Sequence, residues 1–331
     1  MCIRDRSNSI SFSQGCDSIS LDNINNPGLY TYETIVENDG MRDGPDYFGS
    51  TLYYPIDAEG PFSSLVLVPG FVSPQSSVSA WGPYLASHGI IVMTIGTNTL
   101  TDLPQDRANA LLDAVQTLQE ENNRENSPVY QQIDINKISV GGHSMGGGGA
   151  QIAATMDESL KSVISLNPWI QQWLINYEYL NHTVPNLIIS GQDDTTAPVN
   201  EHANVHYDYT PNTTPKAIYE IENGNHSTGR FPSTANNYVG KIVLSWLNYF
   251  ADDNDCYFPL ILEYPEVEFV LTSREVGLSV PSTYFFLSKT SCSVNEVRFV
   301  KDSTEQWGYV DVMVTDHPDV IKSKPENKVC V

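Results

Sequence analysis

The sequence predicts a doubly wound α/β fold on a mostly parallel sheet, with a small β-rich extension at its carboxyl end. Three observations carry that expectation. From about Tyr30 to Phe250, short apolar runs alternate with helical stretches, the pattern left when parallel strands are joined by crossover helices. Several of the runs are continuously apolar, as strands covered on both faces must be. After Asp252-Asp-Asn-Asp255 the helical character stops, and only short β-rich runs follow.

Taken in order, Ser64-Leu-Val-Leu-Val-Pro69 is a buried strand closed by Pro69-Gly70. Trp81 to His88 reads as a short helix, and Gly89-Ile-Ile-Val-Met-Thr-Ile95 as the next strand. In Arg107 to Glu121, the residues Ala108, Leu111, Leu112, Val115 and Leu118 recur at helical spacing. Lys137 to Val140, Val184 to Ser190 and Lys216 to Ile221 are further strands, and Ala235 to Phe250 is a final amphipathic helix. Val267 to Leu271, Tyr284 to Leu287, Val294 to Val300 and Gly308 to Val314 are the β-rich runs beyond it. The expected boundary lies near residue 262: a main domain over 7–262 and a small β-rich domain or subdomain over 263–331, a size at which disulfides help. Residues 1–6, Met-Cys-Ile-Arg-Asp-Arg, resemble the translation of a sequencing-adapter oligonucleotide and are set apart from the fold. A signal peptide is then expected to be missing from this sequence.

With 331 residues the chain can bury one sizeable core and still carry a smaller unit. Acidic residues outnumber basic ones 40 to 17, a net charge of −23. Such a field repels phosphate backbones, which excludes nucleic acid as a partner. No apolar run approaches the ~20 residues of a membrane helix, so no span is expected. Only 17% of residues are charged, and Asn, Ser, Thr, Tyr and Gly are abundant, the look of a solvated extracellular surface. Apart from Cys2, the cysteines are Cys16, Cys256, Cys292 and Cys330, with neither CxxC spacing nor a metal-type histidine cluster. They read as two disulfides of a secreted protein, four free thiols being the alternative. The chain is expected to act as a monomer.

The strongest chemical signal is Gly142-His-Ser144-Met-Gly146, which follows a predicted strand and opens a glycine-rich predicted helix. That context is what a G-x-S-x-G nucleophile elbow requires, because the serine occupies a strained turn packed closely on both sides. A serine hydroxyl needs a base, and on such a fold the partners follow in the order serine, acid, histidine. His226, in Asn223-Gly-Asn-His226-Ser after one strand, and Asp193 or Asp194, after another, supply that order; spacing does not separate the two acids. His88, His182, His202 and His206 read as surface residues, and His317 falls in the extension. For an oxyanion hole, the backbone N–H groups of Met145 and of Phe71, in Pro69-Gly70-Phe71, are the candidates.

These residues, with Val68-Pro-Gly-Phe71, Gln75-Ser-Ser77, Trp81-Gly-Pro83, Leu85-Ala-Ser-His-Gly89, Gly142 to Gly149, Ala197-Pro-Val199 and Gly224-Asn-His226-Ser, make the chain resemble a known family. It is similar to the bacterial cutinases and poly(ethylene terephthalate) hydrolases of the polyesterase-lipase-cutinase group, from about Tyr30 to Asp255. The resemblance implies an α/β-hydrolase fold and a triad of Ser144, Asp194 and His226, choosing Asp194 over Asp193. It also implies Phe71 and Met145 as oxyanion donors, and a substrate groove bounded by Phe71, Trp169, His143 and Thr196. His143 stands where the most specialised plastic-degrading members have tryptophan, and Gly191 and Thr228 where they have an extra disulfide. Cys256 is out of register with the family's carboxy-terminal cysteine, and the segment after residue 262 has no counterpart in the compact members.

The function so implied is acyl-enzyme hydrolysis of aliphatic or aromatic esters and polyesters, poly(ethylene terephthalate) included, with neither metal nor cofactor. A small-substrate carboxylesterase or dienelactone-hydrolase-like enzyme is the first alternative. Thr195 to Pro215, with room for one helix, leaves no large lid to roof its pocket. A non-catalytic binding protein on a hydrolase scaffold is the second, and a complete triad opposes it.

Overall fold

The computed structural model describes residues 19–170, 177–262 and 271–277. Among these, nine strands form one sheet: β1 (Tyr32–Ile35), β2 (Tyr47–Pro55), β3 (Phe62–Val68), β4 (Ile91–Thr97), β5 (Ile133–His143), β6 (Val163–Leu166), β7 (Asn186–Gly191), β8 (Lys216–Ile221) and β9 (Leu271–Gly277). Their spatial order is β1-β2-β4-β3-β5-β6-β7-β8-β9. Strands β3 to β8 run parallel, while β1 and β2 at one edge and β9 at the other are antiparallel to their neighbours. This is the α/β-hydrolase architecture expected from the sequence.

Strand β3 shows why the sheet needs cover on both faces. Leu65, Val66, Leu67 and Val68 are all fully buried, and successive side chains of a strand point to opposite faces. Leu65 and Leu67 enter the core shared with α1 (Trp81–Ala86), α5 (Tyr238–Phe250) and α6 (Phe258–Leu262). Val66 and Val68 enter the core shared with α2 (Pro104–Asn123) and α3 (Met145–Met156). Each such side chain stabilises the fold by about 1.5–3 kcal/mol, so these central strands are a rigid base for the loops at their carboxyl ends.

Several elements differ from expectation for identifiable reasons. Strand β6 went unread because four residues are too few to display a period. Helix α5 starts at Tyr238 rather than Ala235, because Ala235, Asn236 and Asn237 take left-handed backbone, with φ of 52°, 54° and 70°. The segment 195–215 holds one short helix, α4 (Ala203–Tyr209), as expected. Strand β9 lies beyond the boundary expected near residue 262 yet pairs with β8 from Lys216↔Gly277 to Ile221↔Leu271, so the main sheet extends past that point. Residues 1–6, most of 263–331 and His317 lie outside the described residues. Cys256 is disulfide-bonded, and the other cysteines fall outside the described residues. No helix of the described residues is long and apolar enough to cross a membrane.

The largest departure concerns histidines. His182, His202 and His206, read as surface residues, are only 1%, 6% and 0% exposed. Helix α4 buries Ala203, His206 and Tyr207, an i, i+3, i+4 face that its polar composition conceals. Burial pushes His206 down to about 3 and His182 down to about 4.

Both rings are therefore neutral in the fold, whereas in the unfolded chain they take protons below about pH 6.5. The stability they support is complete above that pH and is lost as pH falls from about 6.5 towards 4. Each should cost the fold about 2 kcal/mol at pH 5 relative to pH 7.5. Urea unfolding of the wild type and of His206→Leu at both pH values checks this. The loss on acidification should be about 2 kcal/mol smaller in the variant, and equal losses would refute the assignment.

Candidate active site

Strand β5 ends at Gly142-His143, Ser144 follows it, and α3 begins at the next residue. Ser144 has φ 56° and ψ −121°, a backbone conformation that costs a non-glycine residue about 1–3 kcal/mol and persists only when its surroundings over-determine it. They do: its N–H donates to the Leu166 carbonyl at 2.9 Å, and its carbonyl accepts from Trp169 at 2.9 Å and Gly148 at 3.1 Å. Two glycines admit the loop after β3. A Cβ on Gly146 would stand 2.4 Å from the Val68 carbonyl oxygen and 2.6 Å from that of Pro69, and one on Gly70 would stand 2.7 Å from Ser144 Cβ. The loop and Ser144 touch because these side chains are absent.

Asp194 and His226 follow the carboxyl ends of β7 and β8, the sheet edge where β5 delivers Ser144 and where open α/β sheets form their sites. The structure brings the three together. His226 Nδ1 donates to Asp194 Oδ2 at 2.7 Å, which leaves Nε2 to accept from Ser144 Oγ at 2.9 Å. Burial alone would raise the Asp194 carboxyl. Hydrogen bonds from His226, the Ala197 N–H and Asn167 outweigh it and hold the group below its ordinary value. Asp194 is thus a buried carboxylate with the proton placed on His226 Nδ1, the tautomer that a serine's base requires. Asp193, the other acid that spacing allowed, is exposed.

The remaining expected residues divide. The N–H groups of Phe71 and Met145 have no hydrogen-bond partner among the described residues, and Met145 opens α3, at the positive end of its dipole. Phe71 is 48% exposed. Trp169 is half-buried, anchored to the elbow by its N–H and stacked on His202 at 5.6 Å and 26°, while His202 Nδ1 accepts from the Ile170 N–H at 3.0 Å. Thr196 is exposed and gives its backbone N–H to Asp194 Oδ1 at 2.9 Å. His143 requires correction. Expected on the substrate groove, its side chain is fully buried and donates from Nε2 to the His226 carbonyl at 2.6 Å. Burial pushes it down to about 3, which keeps the ring neutral beside His226. It supports the loop of His226 from beneath.

Asn167 was not among the residues the sequence singled out. Its Nδ2 donates to Asp194 Oδ2 at 3.0 Å and to the Asn225 carbonyl at 3.2 Å, and its Oδ1 accepts from the Gly229 N–H at 2.7 Å. One amide so ties the acid to both ends of the His226 loop. Its position directly after a strand was the available signal. No group of three or more His, Cys, Asp or Glu among the described residues is arranged to hold a metal ion.

Residues 30–276 match the model of the PET hydrolase-like family. The chain is 38% identical over 218 residues to a bis(hydroxyethyl) terephthalate hydrolase of Streptomyces coelicolor, covering 66% of each chain. It is 36% identical over 236 residues to a cutinase of Thermobifida alba, covering 70% of this chain and 75% of that one. With a cutinase of Thermobifida fusca it shares 35% over 233 residues, 70% of each. The chain belongs to the PET hydrolase-like family.

Gly146→Ala tests the close packing of the elbow. The added methyl meets two backbone carbonyls that cannot step aside, so overpacking of about 1–3 kcal/mol should exceed the helix-propensity gain of about 1 kcal/mol. A lowered urea midpoint and a loss of ester turnover are expected together; an unchanged midpoint would mean that the contact relaxes freely.

Proposed function

We propose that this member of the PET hydrolase-like family is a serine ester hydrolase of cutinase type, working through an acyl-enzyme. The observation that carries the reading is the unbroken hydrogen-bond chain Ser144–His226–Asp194, at 2.9 and 2.7 Å. As Ser144 Oγ attacks the ester carbonyl carbon, its proton passes to His226 Nε2, and the imidazolium so formed faces the Asp194 carboxylate. The carbonyl oxygen gains charge where the Phe71 and Met145 N–H groups point. His226 returns the proton to the departing alcohol. Water, deprotonated by the same histidine, then cleaves the acyl-enzyme and frees the acid.

The substrates we assign are esters and polyesters, terephthalate esters included. Support comes from the names of the relatives and from the exposed apolar side chains of Phe71, Val72, Leu100 and Phe231, on loops that follow β3, β4 and β8 at the site edge. Such a surface binds rings and methylenes lying across it without enclosing them. A small-substrate esterase would roof these residues instead. The same reading takes the protein to be a monomer and secreted; the disulfide at Cys256 supports the second.

Ser144→Ala should abolish turnover of a short nitrophenyl ester, by about 10³-fold or more, with little change in thermal midpoint; residual activity above roughly 1% would remove Ser144 from its role. Asp194→Asn should lose about as much, and the exposed neighbour Asp193→Asn little. The reverse ranking would move the acid by one residue.

Trp169→Ala should slow hydrolysis of a polyester film more than that of the short ester. Both rates and the thermal midpoint are measured together. Equal losses with a clear drop in stability would mean that Trp169 serves the fold.

A further inference from the structure

We propose that Arg107 is a positioning residue for the oxyanion hole: its guanidinium braces the loop bearing Phe71 against the loop after β4 and so fixes the Phe71 N–H relative to that of Met145. The proposal rests on the ester hydrolase reading of the site.

Arg107 lies in the first turn of α2 and is fully buried, where an arginine is expected to be paired with an acid. It forms no ion pair among the described residues, and its fork is spent on backbone carbonyls. Nη1 donates to Pro69 at 2.8 Å, Nε to Asp102 at 3.0 Å and Nη2 to Leu100 at 3.4 Å. The Leu100 carbonyl also accepts the Val72 N–H at 2.7 Å. The segment 69–72 is therefore clamped on both sides of Phe71, at Pro69 by the guanidinium and at Val72 by a carbonyl that the guanidinium also holds.

The bond to Pro69 lies close to the reaction. One residue, Gly70, separates that carbonyl from the Phe71 N–H, and Gly70 lies against Ser144, so a rotation at Pro69 would re-aim the donor. The same Pro69 carbonyl packs against Gly146, one residue past Met145. Arg107 also packs against α3 itself, since a Cβ on Gly149 would stand 2.8 Å from Arg107 Cβ. A single side chain thus touches both elements that supply an oxyanion donor. Burial lowers the guanidinium to about 10, so it keeps its charge at neutral pH. That charge lies behind the loop where the oxyanion forms; the carboxylates of Asp102 and Asp106 act on it through space without forming an ion pair among the described residues. A small polar residue could cap one carbonyl; a planar five-donor cation is what holds three in fixed relation.

The test compares wild type, Arg107→Met and Arg107→Lys, each well below its thermal midpoint. Turnover of a short nitrophenyl ester is measured beside inhibition by an alkylboronic acid, whose tetrahedral adduct on Ser144 places an oxygen in the hole. Arg107→Met should lower kcat by roughly 10- to 10³-fold while KM changes less than about 3-fold. Boronic acid affinity should fall in step with kcat, and Arg107→Lys should recover part of both. A folded Arg107→Met with kcat within about two-fold of wild type, or with lowered kcat and undiminished boronic acid affinity, overturns the proposal. Where Arg107→Met does not fold, Arg107→Lys, which retains charge and stem, decides by the same split. If neither folds, Arg107 serves the fold alone and the proposal fails. A wild type without esterase activity, or a Ser144→Ala variant as active as wild type, would instead refute the hydrolase reading.

Discussion

The arrangement depends first on one strained residue. Ser144 sits at φ 56° and ψ −121°, a place the backbone leaves unless it is held. The hold is distributed over β6 through Leu166, the following turn through Trp169, and α3 through Gly148. Each tie also fixes something else: β6 leads to Asn167, the turn carries Trp169, and α3 presents the Met145 N–H. Fixing the serine backbone therefore fixes the surrounding site, and the rigid parallel sheet beneath makes that possible.

The second layer is a set of amide and imidazole bonds that orient the histidine. Asn167 spans Asp194 and the two ends of the His226 loop, and His143 holds the His226 carbonyl from below. Trp81, wholly buried, adds an indole N–H to the Gly229 carbonyl at 3.0 Å. The loop carrying His226 thus has few free backbone groups facing the core. A ring held this way keeps its tautomer and direction.

How far the sequence could be read follows from what each feature depends on. Ser144, Asp194 and His226 were legible because a glycine-flanked serine and strand-terminal polar residues are local patterns, and the parallel order of strands brings their ends to one edge. The central strands were legible because continuous apolar runs have one good explanation. What escaped depends on tertiary contact. Nothing in Gly-His-Ser tells whether the histidine points to the groove or into the core, and His143 points into the core. His206 was hidden by the polar residues around it on α4, although Ala203 and Tyr207 mark the same inward face. Asn167 and Arg107 bond mainly to groups far away in sequence, or to carbonyls, which carry no side-chain signature.

Which of the buried ionisable groups keeps its charge is decided by how many partners reach it, and the outcome is arranged around the reaction. His143 and His206 are buried with too few acceptors and stay neutral. Asp194 keeps its negative charge because four donors converge on its two oxygens. Arg107 keeps its positive charge with three carbonyls as acceptors and the charges of Asp102 and Asp106 nearby. The anion stands behind His226 and the cation behind the loop of Phe71. Acyl transfer makes an imidazolium at His226 and an oxyanion at that loop in the same step. On the proposed reading, each developing charge arises on the side of the site that holds a fixed charge of the opposite sign. Reversing either sign, or neutralising either group, would leave one half of that charge separation unsupported, and burial of both fixed groups makes the loss larger than it would be in water.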